Sequence, residues 1–402
     1  MNMQRFVIQF LWILMIFFFV TLAVAADSPT PQKKFVPNQT DANNFSRIEW
    51  KNETLSLIQT NGGYARIIRL KDGRLICGFD VRGKIWVRHS DDDGKVWRGA
   101  IQVAEWPFGS LTNTELLQLR DGTLLCLYNQ RPRRSRGNSE TNNEVHPFAI
   151  GIARSDDAGK TWQKPERIYS ADTEFKNGCW EPAAIELPSG EVQLFFSDEN
   201  PYRESDEQNI TLLRSKDGGR TWSSPEIVSF RPRHRDGMAV PLLLKENRGI
   251  AFAIEDNGLS GNFKPVIIYS SLEDNWRSGT RKPGSTNRWS ALRELPPPYV
   301  AASAPYLAQM PSGETLLSFQ QTETGEMKDA YMVVCIGDSG ARNFASPSIP
   351  FPVDGRKEQL WNSIFVKDSQ SVIAISQTSI NGTAGIWSVE GRFVNNDFPP
   401  AK

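Results

Sequence analysis

Two glutamates stand where a chain rarely leaves a carboxylate. Glu181 is wedged between Trp180 and Pro182 in NGCWEPAAIELPSG (177–190), at the mouth of an apolar run, and Glu255 closes the apolar run AFAI in AFAIED. Carboxylates at the edge of a core are paired or put to use. Two of them converging across a glycosidic bond can divide the labour, one protonating the leaving oxygen and the other attacking the anomeric carbon. Flanking by Trp180 and Pro182 desolvates Glu181, which raises a carboxyl pKa toward that of a useful proton donor.

That chemistry requires a scaffold that brings two distant segments together, and the chain supplies one by repeating itself. SDDDGKVW (90–97), SDDAGKTW (155–162) and SKDGGRTW (215–222) all fit S-x-D-x-G-x-x-W, and GDSGARNF (337–344) is a worn copy without the Trp. The motif is a turn: the Asp accepts backbone N–H groups, the Gly takes positive φ and the Trp folds back as an apolar plug. Interleaved with it are six apolar hairpins, RIIRLKDGRLICGF, ELLQLRDGTLLCLY, AAIELPSGEVQLFF, PLLLKENRGIAFAI, YLAQMPSGETLLSF and NSIFVKDSQSVIAI. Repeats at roughly 50 to 70 residues built on Asp-Gly and Ser-Gly turns predict an all-β, six-bladed β-propeller of four-stranded antiparallel blades.

Strand parity then assigns every loop to a face. With the innermost strand starting at the top, the inner hairpin turns and the Asp boxes fall at the bottom. The starts of first strands and the ends of second strands fall at the top, close to the axis. The starts carry Tyr64 and Arg66, Asn113 and Glu115, Trp180 and Glu181, Arg235 and Asp236, Tyr306, and Trp361 and Asn362. The ends carry Asp80, Asn129, Asp198 and Glu199, Glu255, Gln320 and Gln321, and Gln377. Polar groups beside aromatic platforms suit a sugar, which offers hydroxyls and apolar ring faces. Glu181 and Glu255 are the expected catalytic pair. Tyr64, Arg66, Asp80, Asn113, Trp180, Arg235, Asp236 and Tyr306 are the expected substrate-binding groups. Asp198 with Glu199 is a competing acidic pair, and the basic stretch NQRPRRSRGNSE (129–140) falls on the same face.

The Asp boxes resemble those of the sialidase-like propeller superfamily. CWEPAAIELPSGEVQLFFSDENP, followed by SKDGGRTW and RDGMAVPLLLKENRGIAFAIED, is similar to the motif run of glycoside hydrolase family 93 exo-α-1,5-L-arabinanases. The resemblance spans most of residues 60 to 385, with its specific part at 178 to 256. It implies a retaining exo-glycosidase in which Glu181 is the acid/base and Glu255 the nucleophile. The family usually has Arg-Pro-Gly-Met where this chain reads Arg235-Asp236-Gly237-Met238, which leaves the sugar open. Two other functions fit the pattern. An exo-α-sialidase is suggested by RIIRL and by Tyr306 as a conceivable nucleophile, although VAASAPYLAQM lacks the arginine that a three-arginine clamp needs. A propeller that only binds glycans is the third.

With 46 Lys plus Arg against 46 Asp plus Glu, the chain has no net field to gather nucleic acid or a membrane surface. A carbohydrate is the expected partner and a monomer the expected state. The three histidines are scattered, so neither a metal nor another cofactor is expected. Residues 1–25 end in Ala23-Val24-Ala25 after a long apolar stretch and read as a secretory signal, with an uncleaved anchor as the alternative. A secreted, periplasmic or extracellular location follows. A polar linker at 26–46, the propeller at 47–396 and a tail at 397–402 complete the expected organisation. Sequons begin at Asn38, Asn44, Asn52, Asn209 and Asn381. Cys77 and Cys126 occupy equivalent repeat positions on neighbouring sheets, about 10 Å apart and too far to bridge. They are expected as small buried hydrophobes, with Cys179 and Cys335 left undecided.

Overall fold

The computed structural model describes residues 46–133, 146–172, 177–353 and 358–394. The expected leader, linker and tail, Asn38 and Asn44, and the basic stretch from 134 onward lie outside these. The chain opens with β1 (Arg47–Thr60), then lays down blade 1 as β2 (Gly63–Arg69), β3 (Leu75–Val81), β4 (Lys84–Ser90) and β5 (Ile101–Ala104). Blade 2 is β6 (Gly109–Gln118), β7 (Leu124–Pro132), β8 (Ala149–Ser155) and β9 (Glu166–Ser170). Blade 3 is β10 (Cys179–Glu186), β11 (Val192–Asp198), β12 (Asn209–Ser215) and β13 (Glu226–Ser229). Blade 4 is β14 (Asp236–Leu244), β15 (Gly249–Ser260), β16 (Asn262–Ser270) and β17 (Arg288–Ser290). Blade 5 is β18 (Ala301–Gln309), β19 (Thr315–Thr322), β20 (Tyr331–Gly337) and β21 (Ala345–Ser348). Blade 6 is β22 (Leu360–Val366), β23 (Ser371–Ile380), β24 (Thr383–Val394) and, as its outermost strand, β1.

All six sheets are four-stranded and every pairing within them is antiparallel, as the repeats require. Each of the six apolar hairpins read from the sequence becomes the inner strand pair of one blade. Recruiting β1 into blade 6 ties the two ends of the ring together through its backbone ladder, from Arg47↔Val394 to Thr60↔Gly385. Apolar side chains pack between neighbouring blades. Phe195 of blade 3 meets Phe252 of blade 4 at 5.2 Å between ring centroids, with Trp276 closing the group. All four cysteines are free and buried, which also settles Cys179 and Cys335 as apolar fillers. Asn52 and Asn381 are exposed, but Asn209 is fully buried and donates to the Tyr202 hydroxyl, so its sequon is closed in the folded chain.

The Asp boxes lie between third and fourth strands, at the bottom. In blade 2, Asp157 accepts the backbone N–H groups of Lys160 and Thr161 and both hydroxyls of Ser155 and Thr161, while Gly159 takes φ 81°. Blade 4 carries a further copy outside the S-x-D-x-G-x-x-W pattern, with two extra residues between its Ser and its Asp and Trp276 in the place of the Gly. Ser270 donates to Asp274 and accepts the N–H of Trp276, the N–H of Ser278 bonds the same carboxylate, and Trp276 takes φ 69° and is buried. In the worn copy, Asp338 still accepts from Gly340 and Arg342, Asn343 stands at the Trp position and donates to the same carboxylate, and Phe344 after it is buried.

Candidate active site

One irregularity recurs in all six blades and builds the mouth of the central channel. In each first strand the register slips, so that two residues oppose one on the second strand. The first residue of each slip has a left-handed backbone: Tyr64 (φ 50°), Asn113 (56°), Glu181 (51°), Met238 (55°), Ala304 (50°) and Trp361 (53°). Non-glycine residues in that region are uncommon and cost about 1–3 kcal/mol each. A bulge of this kind re-aims a side chain; repeated six times, it turns one residue per blade onto the axis. Tyr64, Met238 and Ala304 pack together with Trp361, whose ring lies 5.9 Å from that of Tyr64. The apolar half of the ring therefore comes from blades 4, 5, 6 and 1, and the polar half from Asn113 and Glu181 of blades 2 and 3.

Two residues further along, the same strands supply a second layer. Arg66 is only 2% exposed, with its guanidinium 4.2 Å from the Tyr64 ring centroid and 4.9 Å from that of Tyr306. Its Nε lies 3.4 Å from Glu115 Oε2. Burial pushes Glu115 up to about 7 despite that neighbour. Together, Arg66, Glu115 and Tyr306 form the floor beneath the mouth.

The two expected catalytic glutamates meet at this mouth. Glu181 accepts the Ser197 hydroxyl at 3.1 Å, and Ser197 Oγ in turn accepts the N–H of Met238 at 2.9 Å. Glu255 stands opposite Gly237 across the β14–β15 ladder and accepts the N–H of Ala304 at 2.8 Å. Burial raises both carboxyls. For Glu255 the rise reaches about 7: the Ala304 N–H opposes it, and the charge of Glu181 adds to it. Gly237 leaves room beside the pair: a Cβ there would meet Gln208 Nε2 at 2.6 Å and Glu255 at 3.3 Å.

Around the pair, Asp80 accepts the Thr112 hydroxyl at 3.1 Å and is pushed to about 6 by burial. Trp180 packs on Phe148 at 4.5 Å and lies under the guanidinium of Arg131. Arg235 pairs with Glu199 and donates Nη2 to Gln208 Oε1 at 2.6 Å. Its outer side lines a polar hollow with Ser205, Asp206, Glu207, Arg233 and His234. The expectation for Asp236 is not met. Its carboxylate is fully buried inside blade 4, held by both terminal nitrogens of Arg288 at 2.6 and 2.7 Å. The competing acids also separate: Asp198 is buried against Tyr169 and Thr211, while Glu199 serves Arg235.

Arg131, read from the sequence only as part of the basic stretch 129–140, belongs to this site. Arg131 binds Asn129 at 2.9 Å and Asn113 at 2.7 Å, and its charge bears on Glu181 and Asp80. Its spacing of two from Asn129 on a strand was the available signal. Ser197, Met238 and Ala304 carried none, since only the bulges bring them to the glutamates.

Comparison with known proteins agrees with this architecture. The profile of the BNR repeat-like domain matches residues 122–253. A sialidase of Bacteroides fragilis (strain YCH46) is 26% identical over 196 residues, covering 44% of this chain and 32% of that protein. The match therefore spans about a third of that relative's length. An α-L-arabinofuranosidase of Fusarium graminearum superposes with a TM-score of 0.63 at 16% identity, over 87% of this chain and 97% of the other. The chain has the sialidase-like propeller fold. A Penicillium chrysogenum α-L-arabinanase shares this propeller at a TM-score of 0.60 and 17% identity, over 88% and 98% of the two chains. The NanB sialidase of Streptococcus pneumoniae does so at 0.56 and 13%, over 88% of this propeller's chain and 71% of its own.

Proposed function

We propose that this propeller is an exported, monomeric, exo-acting glycoside hydrolase of the arabinanase-like kind that works with retention. The observation that carries the reading is the meeting of Glu181 and Glu255 at one mouth, each desolvated and each given a different partner. The backbone N–H of Ala304 favours ionised Glu255, which suits a nucleophile. Ser197 can rotate its hydroxyl, so Glu181 can hold or release a proton without losing its partner.

In the first step Glu181 gives its proton to the glycosidic oxygen while a Glu255 oxygen bonds the anomeric carbon; the C–O bond breaks and the leaving sugar departs as an alcohol. In the second, Glu181 takes a proton from water, the water oxygen bonds the anomeric carbon, and the ester to Glu255 breaks. Tyr64 and Trp361 offer ring faces to a sugar, and Asn113, Asp80, Arg131 and Arg235 offer hydroxyl partners. Arg66 is committed to Glu115, and this weighs against a carboxylate clamp of the sialidase kind.

The test is digestion of a panel of arabinans, other polysaccharides and sialosides, with product identification by NMR. Release of arabinose, first seen as the anomer of the substrate, is the expected result. Sialic acid as product would transfer the chain to the sialidases, and an inert protein would leave a glycan-binding propeller.

A further inference from the structure

The buried charges of blade 4 reach the glutamates along one strand pair. Asp236 and Asp256 are register partners, on β14 and β15, and both are fully buried. Two carboxylates facing each other in the core would repel, and one side chain prevents this. Arg288, from the outermost strand of the blade, gives Nη1 and Nη2 to Asp236 and Nη2 to Asp256 at 2.5 Å, and Nη1 to Ser229 of blade 3 at 2.9 Å. Arg231 adds Nε to Asp256 at 2.8 Å.

The next pair along the ladder is Gly237↔Glu255, and the residue after Gly237 is Met238, whose N–H holds the Ser197 hydroxyl on Glu181. The carbonyl of Asp236 is held as well, by Gln208 Nε2 at 2.9 Å. Glu255 thus projects from the residue before Asp256, and Glu181 is tied to the strand that Asp236 opens. We propose that Arg288 is a positioning residue for both glutamates: by clamping Asp236 and Asp256 it fixes the paired stretch of β14 and β15 that sets the gap between Glu181 and Glu255. This rests on the glycosidase reading of the mouth, and Arg288 itself touches no substrate.

The experiment compares Arg288→Met and Arg288→Lys in the full chain with Arg154→Met as the control. Arg154 is a buried arginine of blade 2, bonded to Glu166 and to the Gly219 carbonyl next to the Asp boxes. Loosening by about 1 Å costs roughly 100-fold in rate, so Arg288→Met should lower kcat about that much with KM nearly unchanged. Arg288→Lys, keeping the charge without the fork, should lose about 10-fold. Arg154→Met should lower the melting temperature while leaving kcat within about twofold. A kcat for Arg288→Met as close to wild type as that of the control would overturn the proposal. If the Met variant does not fold, the Lys variant decides by the same criterion. If the wild type hydrolyses nothing, the glycosidase reading has failed separately. Titration of 13C-labelled glutamate carboxyls then still tests the clamp: midpoints of Glu181 and Glu255 moved by about half a pH unit or more in Arg288→Lys support it, and unmoved midpoints refute it.

Discussion

Acidic residues sit at both ends of the same blades, and the two ends treat them in opposite ways. At the bottom, each Asp box surrounds its carboxylate with donors. Burial pushes Asp157 up, but the Thr161 hydroxyl and backbone N–H, with Ser155 and Lys160, outweigh it and bring the group to about 2. Asp217 is likewise lowered, chiefly by the Thr221 hydroxyl and N–H. At the top, Glu181, Glu255, Glu115 and Asp80 are desolvated with few donors, and all four rise. The balance of donors against burial thus sets the opposite directions of shift at the two ends. The conspicuous motif marks the end where carboxylates are lowered.

Breaking the top end should cost the most. Glu255→Gln is expected to abolish turnover on all glycosides, by roughly 10³-fold or more. Glu181→Gln should cost about 10²–10⁴-fold on poor leaving groups and far less on good ones, because only the former need its proton. Initial rates on a series of aryl glycosides check both. Equal losses across the series would refute the division of roles.

The pH dependence sharpens the contrast. If Glu255 is the nucleophile, as proposed, it must be ionised to attack, so kcat/KM should fall as pH drops through about 7. Its folded-state pKa lies above its ordinary value of 4.5, so the folded protein favours the proton. The stability cost of its charge is absent below 4.5, grows between 4.5 and about 7, and is full above. Glu255→Gln should therefore melt higher than wild type at pH 8, with the gap closing near pH 4.5. A gap independent of pH would mean that burial of this charge is not the cause.

The smallest effect belongs to the bottom. Asp157→Ala removes a carboxylate that holds two backbone N–H groups and two hydroxyls. The expected cost is about 1–2 kcal/mol in urea denaturation, with kcat unchanged. Any loss of activity beyond that of the unfolded fraction would break the separation of the two faces.

The architecture was legible because its signals are local. Alternating apolar residues, Asp-Gly turns and Asp boxes each act within a few positions of themselves, and six repeats of them admit one closed arrangement. Parity then brought Glu181 and Glu255 to one face. Asp236 misled because an acid at a strand start looks the same whether it faces the axis or an arginine in the blade; Arg288, 52 residues further on, chose the latter. The blade 4 Asp box escaped because two inserted residues change its spacing and Trp276 takes the place of its Gly, while the bonds of the turn stay.

The sequence by itself determined the number of blades, the placement of loops on faces and the arrival of Glu181 and Glu255 on the same face, since all of these follow from periodicity along one chain. The tertiary structure alone decided which residues turn onto the axis, which acids are neutralised and which are left desolvated. Those outcomes depend on register slips and on contacts between blades, where residues far apart in the chain compete for the same donors, and no local pattern encodes that competition.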